Sequence, residues 1–184
     1  MKFSLVDDLK EVLSYPTEDY PEKAGELILP FFEDVNDFFD LVKEQKHEEV
    51  LPIDSPFNTL QIIVISAIFI DGDIDQAEYD VYSRFCRACH YNALDPKDVA
   101  RVMDNILKDK LEVLKRCAIF VGAIREAEKN KEPYHDFLIA MWCLLCANED
   151  IAEGEFAFMT TLYDSDIDDV PSSFSACKKA LAED

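Results

Sequence analysis

Ser66-Ala67-Ile68-Phe69-Ile70-Asp71-Gly72-Asp73-Ile74-Asp75-Gln76-Ala77-Glu78 decides how this chain folds. An apolar run enters it, an acidic turn interrupts it, and an amphipathic segment leaves it. Gly72 suits the end of a helix, where the backbone often needs a positive φ. Ile74 packs down into the interior. Asp75 and Glu78 have the D-x-x-E spacing of a capping box, which starts the next helix. The stretch therefore predicts helix, acidic turn, helix.

Upstream, Ser55-Pro56 is a helix start, a cap residue followed by proline. From Pro56 to about Ile70 the sequence is almost unbroken apolar, which places this helix centrally. Periodicity alone also allows a buried strand over Ile62 to Ile70; the cap, the run length and the helical neighbours favour helix. Downstream, Asp75 to about Tyr91 forms one helix and Asp95-Pro96 opens another, with Val99, Val102, Met103, Ile106 and Leu107 on one side. Leu111 to Ile124 gives a further apolar stripe, Glu132-Pro133 precedes a helix through Leu145, and Glu155 to Tyr163 continues as a short one. At the amino end, Ser4 caps a helix carrying Leu5, Leu9, Val12 and Leu13, and Pro21 opens a second that ends near Pro30. Phe31, Phe32, Val35, Phe38, Phe39 and Val42 form an aromatic stripe, read as intramolecular core or else a protein interface. Pro171 with Ser172 or Ser173 precedes a weak terminal helix expected to pack loosely. The fold class expected is all-α, a single-domain helical bundle. Its parts are an N-terminal helical segment packed on the core (1–52), the main helical domain (53–170) and a weak helix or tail (171–184).

A shift of 77 residues lays the chain on itself: Ile70 to Asp75 falls on Ala147 to Ala152, Glu78-Tyr79 on Glu155-Phe156, and Phe85 on Leu162. Two pseudo-repeated helix–acidic turn–helix hairpins follow, and facing one another they would bury both apolar faces in one core. The pattern, an apolar helix, then A-x-x-D-G-x-I-x-x-x-E and an amphipathic helix, resembles the TerB-like family, named for a tellurite-resistance protein. The segment Ser66 to Tyr79 carries the resemblance, the weaker turn Ala147 to Glu155 extends it, and it covers about Pro56 to Tyr163. The helices before Pro56 make the chain an atypical member. The resemblance implies an all-helical domain with an acidic cluster for a divalent metal, tied to metal or stress response. It carries this role to Asp71, Asp75 and Glu78 in the first turn, and to Asn148, Asp150 and Glu155 in the second. Asn148 opposite Asp71 and Glu149 opposite Gly72 depart from an ideal acidic pair.

The octet Asp71 to Glu78 also copies the second half of an EF-hand loop. With Asp71 as fifth position and Glu78 as twelfth, the first and third positions become Ala67 and Phe69. Neither can coordinate calcium, so an ordinary EF-hand is excluded. Capping accounts for Gly72, Ile74, Asp75 and Glu78, whereas Asp71 falls near a helix C-terminus, where the dipole disfavours negative charge. Water, a basic side chain or a bound cation would relieve that penalty. Oxygen donors suit calcium, magnesium or manganese; zinc is the less favoured metal.

Of the 184 residues, 39 are acidic and 18 basic, a net charge of −21 that repels nucleic acid and anionic lipid and favours cations or a basic protein surface. No run approaches the roughly 20 apolar residues of a membrane span. Asp7, Asp8 and Glu11 follow Met1 where a signal peptide would be apolar, so the cytoplasm is the expected setting. Cys86/Cys89 and Cys143/Cys146 have zinc-site spacing, but lie on apolar helical faces and read as buried reduced thiols. His135, beside Asp136 near a helix start, reads as a surface or capping residue. No phosphate loop, serine elbow or H-E-x-x-H is present. The expected function is a non-enzymatic module binding a divalent cation or basic partner through its acidic turns. A metal-dependent hydrolase using those turns and a purely structural scaffold are the alternatives, and a homo-oligomer is compatible with all three.

Overall fold

In the computed structural model, the described residues are 4–30, 56–70, 72, 74–113, 115, 132–147, 151–163 and 171–183. They form helices α1 (Leu5–Val12), α2 (20–30), α3 (Pro56–Ile68), α4 (Gln76–Ala88), α5 (Pro96–Lys108), α6 (Glu132–Cys146), α7 (Glu153–Leu162) and α8 (Phe174–Glu183), with a 3₁₀ turn at Thr17–Asp19. No strand occurs among them, so the Ile62 to Ile70 run is helical as far as Ile68. The Phe31 to Val42 stripe, most of the Leu111 to Ile124 stripe, and Asn148, Glu149 and Asp150 lie outside the described residues, as do Asp71 and Asp73.

Two helices, α3 and α6, bury nearly all of their described residues; Gln61, Ile62, His135 and Asp136 are half-buried. Leu60, Ile63 to Ile65 and Ala67 to Ile70 are buried along α3 and just past its end, as are Phe137 to Cys146 along α6. A helix that is hydrophobic all round must be enclosed. The two pack together, and amphipathic helices close around them: α4, α5 and α7 on α3; α1, α4 and α7 on α6. The outer helix α1 buries Leu5, Leu9 and Val12. Helix α8 also docks on α1 and sinks Cys177 into the core.

The caps that delimit these helices are local chemistry. Ser4 accepts the Asp7 amide, Asp95 Oδ1 accepts the Asp98 amide at 2.9 Å, and Pro96 occupies the first turn of α5. At the other end of α4, the Tyr91 amide reaches the Cys86 carbonyl at 2.8 Å and the His90 amide reaches Arg87 at 3.0 Å. This is a Schellman motif with His90 in the left-handed position, at φ 62°. Glycine usually fills that position, since a Cβ there costs roughly 1–2 kcal/mol.

Helices α2 and α4 meet closely at two small residues. A methyl group placed on Gly25 would lie 2.4 Å from Ala88 Cβ and 3.2 Å from the Phe85 carbonyl oxygen. The Cys89 thiol also donates to the Gly25 carbonyl. Beside this contact, Arg84 forks onto Glu22 through Nε at 2.8 Å and Nη2 at 2.6 Å, and it donates to the Glu18 carbonyl. The guanidinium holds the Glu22 carboxyl below the usual carboxylate range. Both side chains are partly solvated, so the pair contributes only about 0.2–1 kcal/mol.

Two substitutions test this account by urea denaturation. Gly25→Ala should destabilise by about 1–3 kcal/mol, since Ala88 is anchored to its backbone and cannot give way. His90→Gly should stabilise by a few tenths to about 1 kcal/mol, the relieved strain exceeding the extra freedom of the unfolded chain. An unchanged midpoint for Gly25→Ala would remove the close approach of α2 and α4 from this description.

Candidate functional site

The first acidic turn begins where α3 ends. The Gly72 amide reaches the Phe69 carbonyl at 3.0 Å with Gly72 at φ 90°, the positive value its position predicts. Ile74 is partly buried against the core. Asp75 Oδ1 then accepts the Glu78 amide at 2.8 Å, and Glu78 Oε2 accepts the Asp75 amide at 3.3 Å, closing the capping box of α4. Glu78 is only 8 % exposed, whereas Asp75 is exposed. The box uses one oxygen of each carboxylate. Both negative charges sit at the positive end of the α4 dipole, which stabilises them.

Glu155 holds the corresponding place in α7. It is the third residue of that helix, is 6 % exposed, and its Oε2 accepts the Ala152 amide at 2.7 Å. Ala152 has no side-chain acceptor to return the bond, so this start has half of the box. The first turn lies against the start of α7: a methyl on Gly154 would meet Ile70 Cγ2 at 3.7 Å, an ordinary contact. On its other side, Gly72 abuts Leu107 Cδ1 near the end of α5, at 3.1 Å from where a Cβ would stand.

Of the sequence candidates, Asp75 and Glu78 are brought together, and Glu155 begins the helix that touches the first turn. Asp71 and Asp150 fall outside the described residues. Among the described residues, no three His, Cys, Asp or Glu side chains gather to hold a metal. The oxygens of the turns are chemically suited to a hard cation such as calcium, magnesium or manganese. The thiols are a different matter. Cys86, Cys89, Cys143, Cys146 and Cys177 are free and buried. Burial pushes Cys86 up to about 11, and Cys89, Cys143 and Cys146 up to about 12. Burial thus favours the protonated thiol over the thiolate at each of them.

The most developed polar structure is one the sequence did not announce. Trp142 Nε1–H donates to Tyr163 Oη at 2.6 Å, and the Tyr163 hydroxyl donates to Asp8 Oδ2 at 2.7 Å. His135 Nε2 lies 2.9 Å from Asp8 Oδ1, within hydrogen-bonding distance. The Tyr134 hydroxyl donates to the Leu162 carbonyl beside them. Asp8 is 4 % exposed, so α1, α6 and the end of α7 are joined through a buried carboxylate. His135 is half-buried and bonded to Asp8, rather than the surface or capping residue expected from its neighbour Asp136. The clue available in the sequence is that Asp8 falls on the apolar stripe Leu5, Leu9, Val12, three residues after Leu5.

Comparison of the chain with protein-family models, curated proteins and solved structures gives no match. The TerB-like resemblance therefore stands on the residues of the acidic turns alone. No described helix is long and apolar enough to cross a membrane.

Burial raises the Asp8 carboxyl above its ordinary 3.8, and the hydrogen bonds from Tyr163 and His135 only partly oppose this. The folded protein therefore keeps that proton to a higher pH than the unfolded chain does. The stability Asp8 contributes is full below about 3.8 and declines as pH rises through the folded-state value. Asp8→Asn cannot ionise, so its stability relative to wild type should rise with pH across that window, measured by denaturation at pH 3.5 to 7. Asp8→Ala should lose about 1–3 kcal/mol throughout, because the Tyr163 hydroxyl is left without its acceptor. A pH-independent difference between Asn and wild type would show that the carboxyl is not desolvated as described.

Proposed function

We propose that this chain is a non-catalytic helical module whose two acidic turns repeat one design and together hold a cationic partner. The observation that carries this reading is the seating of Ile70 against Gly154. Ile70 immediately precedes Asp71 in sequence, and Gly154 is the second residue of α7, so the end of α3 meets the start of α7. The matched roles of Glu78 and Glu155, each a buried third helical residue bonded to its own cap amide, support the repeat. Their carboxylates organise the turns, and on this reading Asp71, Asp150 and the second oxygen of Asp75 are the donors offered to a ligand. On this reading, clustered carboxylates of one sign focus a negative potential, and this attracts a divalent cation or a basic protein surface. The net charge of −21 acts in the same direction. The TerB-like pattern, on this reading, places the module in metal or stress response.

Calorimetric titration of the full chain with calcium, magnesium and manganese, and separately with oligolysine, tests the proposal. Wild type should bind one ion or the basic peptide saturably, and Asp71→Asn combined with Asp150→Asn should weaken that binding roughly tenfold, as loss of ligand charge does in oxygen-donor sites. Binding of an ion selects the cation, and binding of oligolysine alone selects the basic surface. Failure of wild type to bind either at millimolar concentration would overturn the reading, as would equal binding by the variant.

A further inference from the structure

A cavity of about 440 Å³ opens between the start of α7 and the start of α8, and its wall includes Ile151 and Glu153 of the Ala147 to Glu155 segment. Its size falls within the range of sites for small organic ligands, roughly 300–1,000 Å³. Phe156, Phe174 and Ile151 give it an apolar lining, and Glu153, Lys178, Ser172, Ser173 and Ser175 give it a polar one. Glu153 is the first residue of α7, and Lys178 is in the second turn of α8. The ion pairs among the described residues are Lys23–Glu26, Arg84–Glu22, Arg84–Asp80, Arg101–Asp98 and His135–Asp8; Glu153 and Lys178 are in none of them. Two opposite charges thus border one cavity without neutralising each other. The Lys178 ammonium instead rests 4.7 Å from the centre of the Phe174 ring.

A ligand complementary to this lining carries an ammonium for Glu153, a carboxylate for Lys178 and an apolar group for the phenylalanines. We propose that the cavity binds a zwitterionic α-amino acid with an apolar side chain. Such a molecule satisfies both wall charges at once, whereas a simple ion satisfies one and leaves the rings in water. Phe156 is buried and braced against Trp142, their ring centroids 6.2 Å apart, so that part of the lining is set before a ligand arrives. The site goes beyond the cation-binding role proposed above, since its ligand is neutral overall and its lysine repels cations.

The probe is L-phenylalanine, titrated calorimetrically into the full chain beside its amide, which lacks the carboxylate, and its N-acetyl derivative, which lacks the ammonium. Phenylalanine should bind with one site per chain, and each derivative at least about threefold more weakly, the effect expected for one solvated ion pair. Glu153→Gln should weaken phenylalanine and its amide but not the N-acetyl compound; Lys178→Gln should weaken phenylalanine and the N-acetyl compound but not the amide. Both side chains are exposed, and an unchanged melting temperature shows that the variants fold. No phenylalanine binding at tens of millimolar overturns the proposal. So does a derivative that binds as well as the zwitterion, or a variant that weakens all three ligands equally. Glycine binding as tightly as phenylalanine would overturn the apolar part.

Discussion

The architecture depends on one constraint: over most of their length, two helices are apolar nearly all round. Every described side chain of α3 from Ile63 to the chain's turn at Ile70 is buried or nearly so, and the same is true of α6 from Phe137 to Cys146. Burying an aliphatic or aromatic side chain of this kind is worth about 1.5–3 kcal/mol, so leaving either helix on the surface is prohibitive. Pairing them satisfies only one side of each. The remaining sides require a surrounding layer, and that layer consists of helices with one apolar stripe and short capped starts. Asp75, Glu78 and Glu155 sit at the starts of two helices of this layer, where their carboxylates accept backbone amides.

The same demand explains an expense at Asp8. An ionised carboxylate in this interior is tolerated only with directional donors, and Tyr163 and His135 provide them from two different helices. Apolar packing alone would let α1 slide or rotate on α6, because hydrophobic contact is non-directional. A carboxylate with two fixed donors admits one register. Tyr163 is itself held by Trp142, so α1 is located relative to the middle of α6 as well as its beginning.

Much of the fold was legible because its determinants are local. Ser4, Asp75 and Asp95 announced helix starts through bonds that span three residues, and Gly72 announced its positive φ through its place after an apolar run. The buried thiols followed from their apolar neighbours. What was not legible depends on distance along the chain. His135 and Asp8 are 127 residues apart and Tyr163 and Asp8 are 155 apart; no period of 3.6 residues connects them. The tight Gly25–Ala88 contact was equally hidden, since small residues signal close approach only once the partner helix is known. Within the acidic site, the sequence located Asp75, Glu78 and Glu155 correctly as turn and helix-start residues. The burial of the two glutamates was not visible, because an N3 position can face either way.

The placement of Trp142 has a practical side. It is the only tryptophan in the chain. Its indole nitrogen is coupled through a phenol to the carboxylate that locates the N-terminal helix. The chain thus carries a single indole fluorophore whose immediate electrostatic environment is set by whether that helix is docked. Its emission would report undocking of α1 separately from unfolding of the bundle, with no label attached.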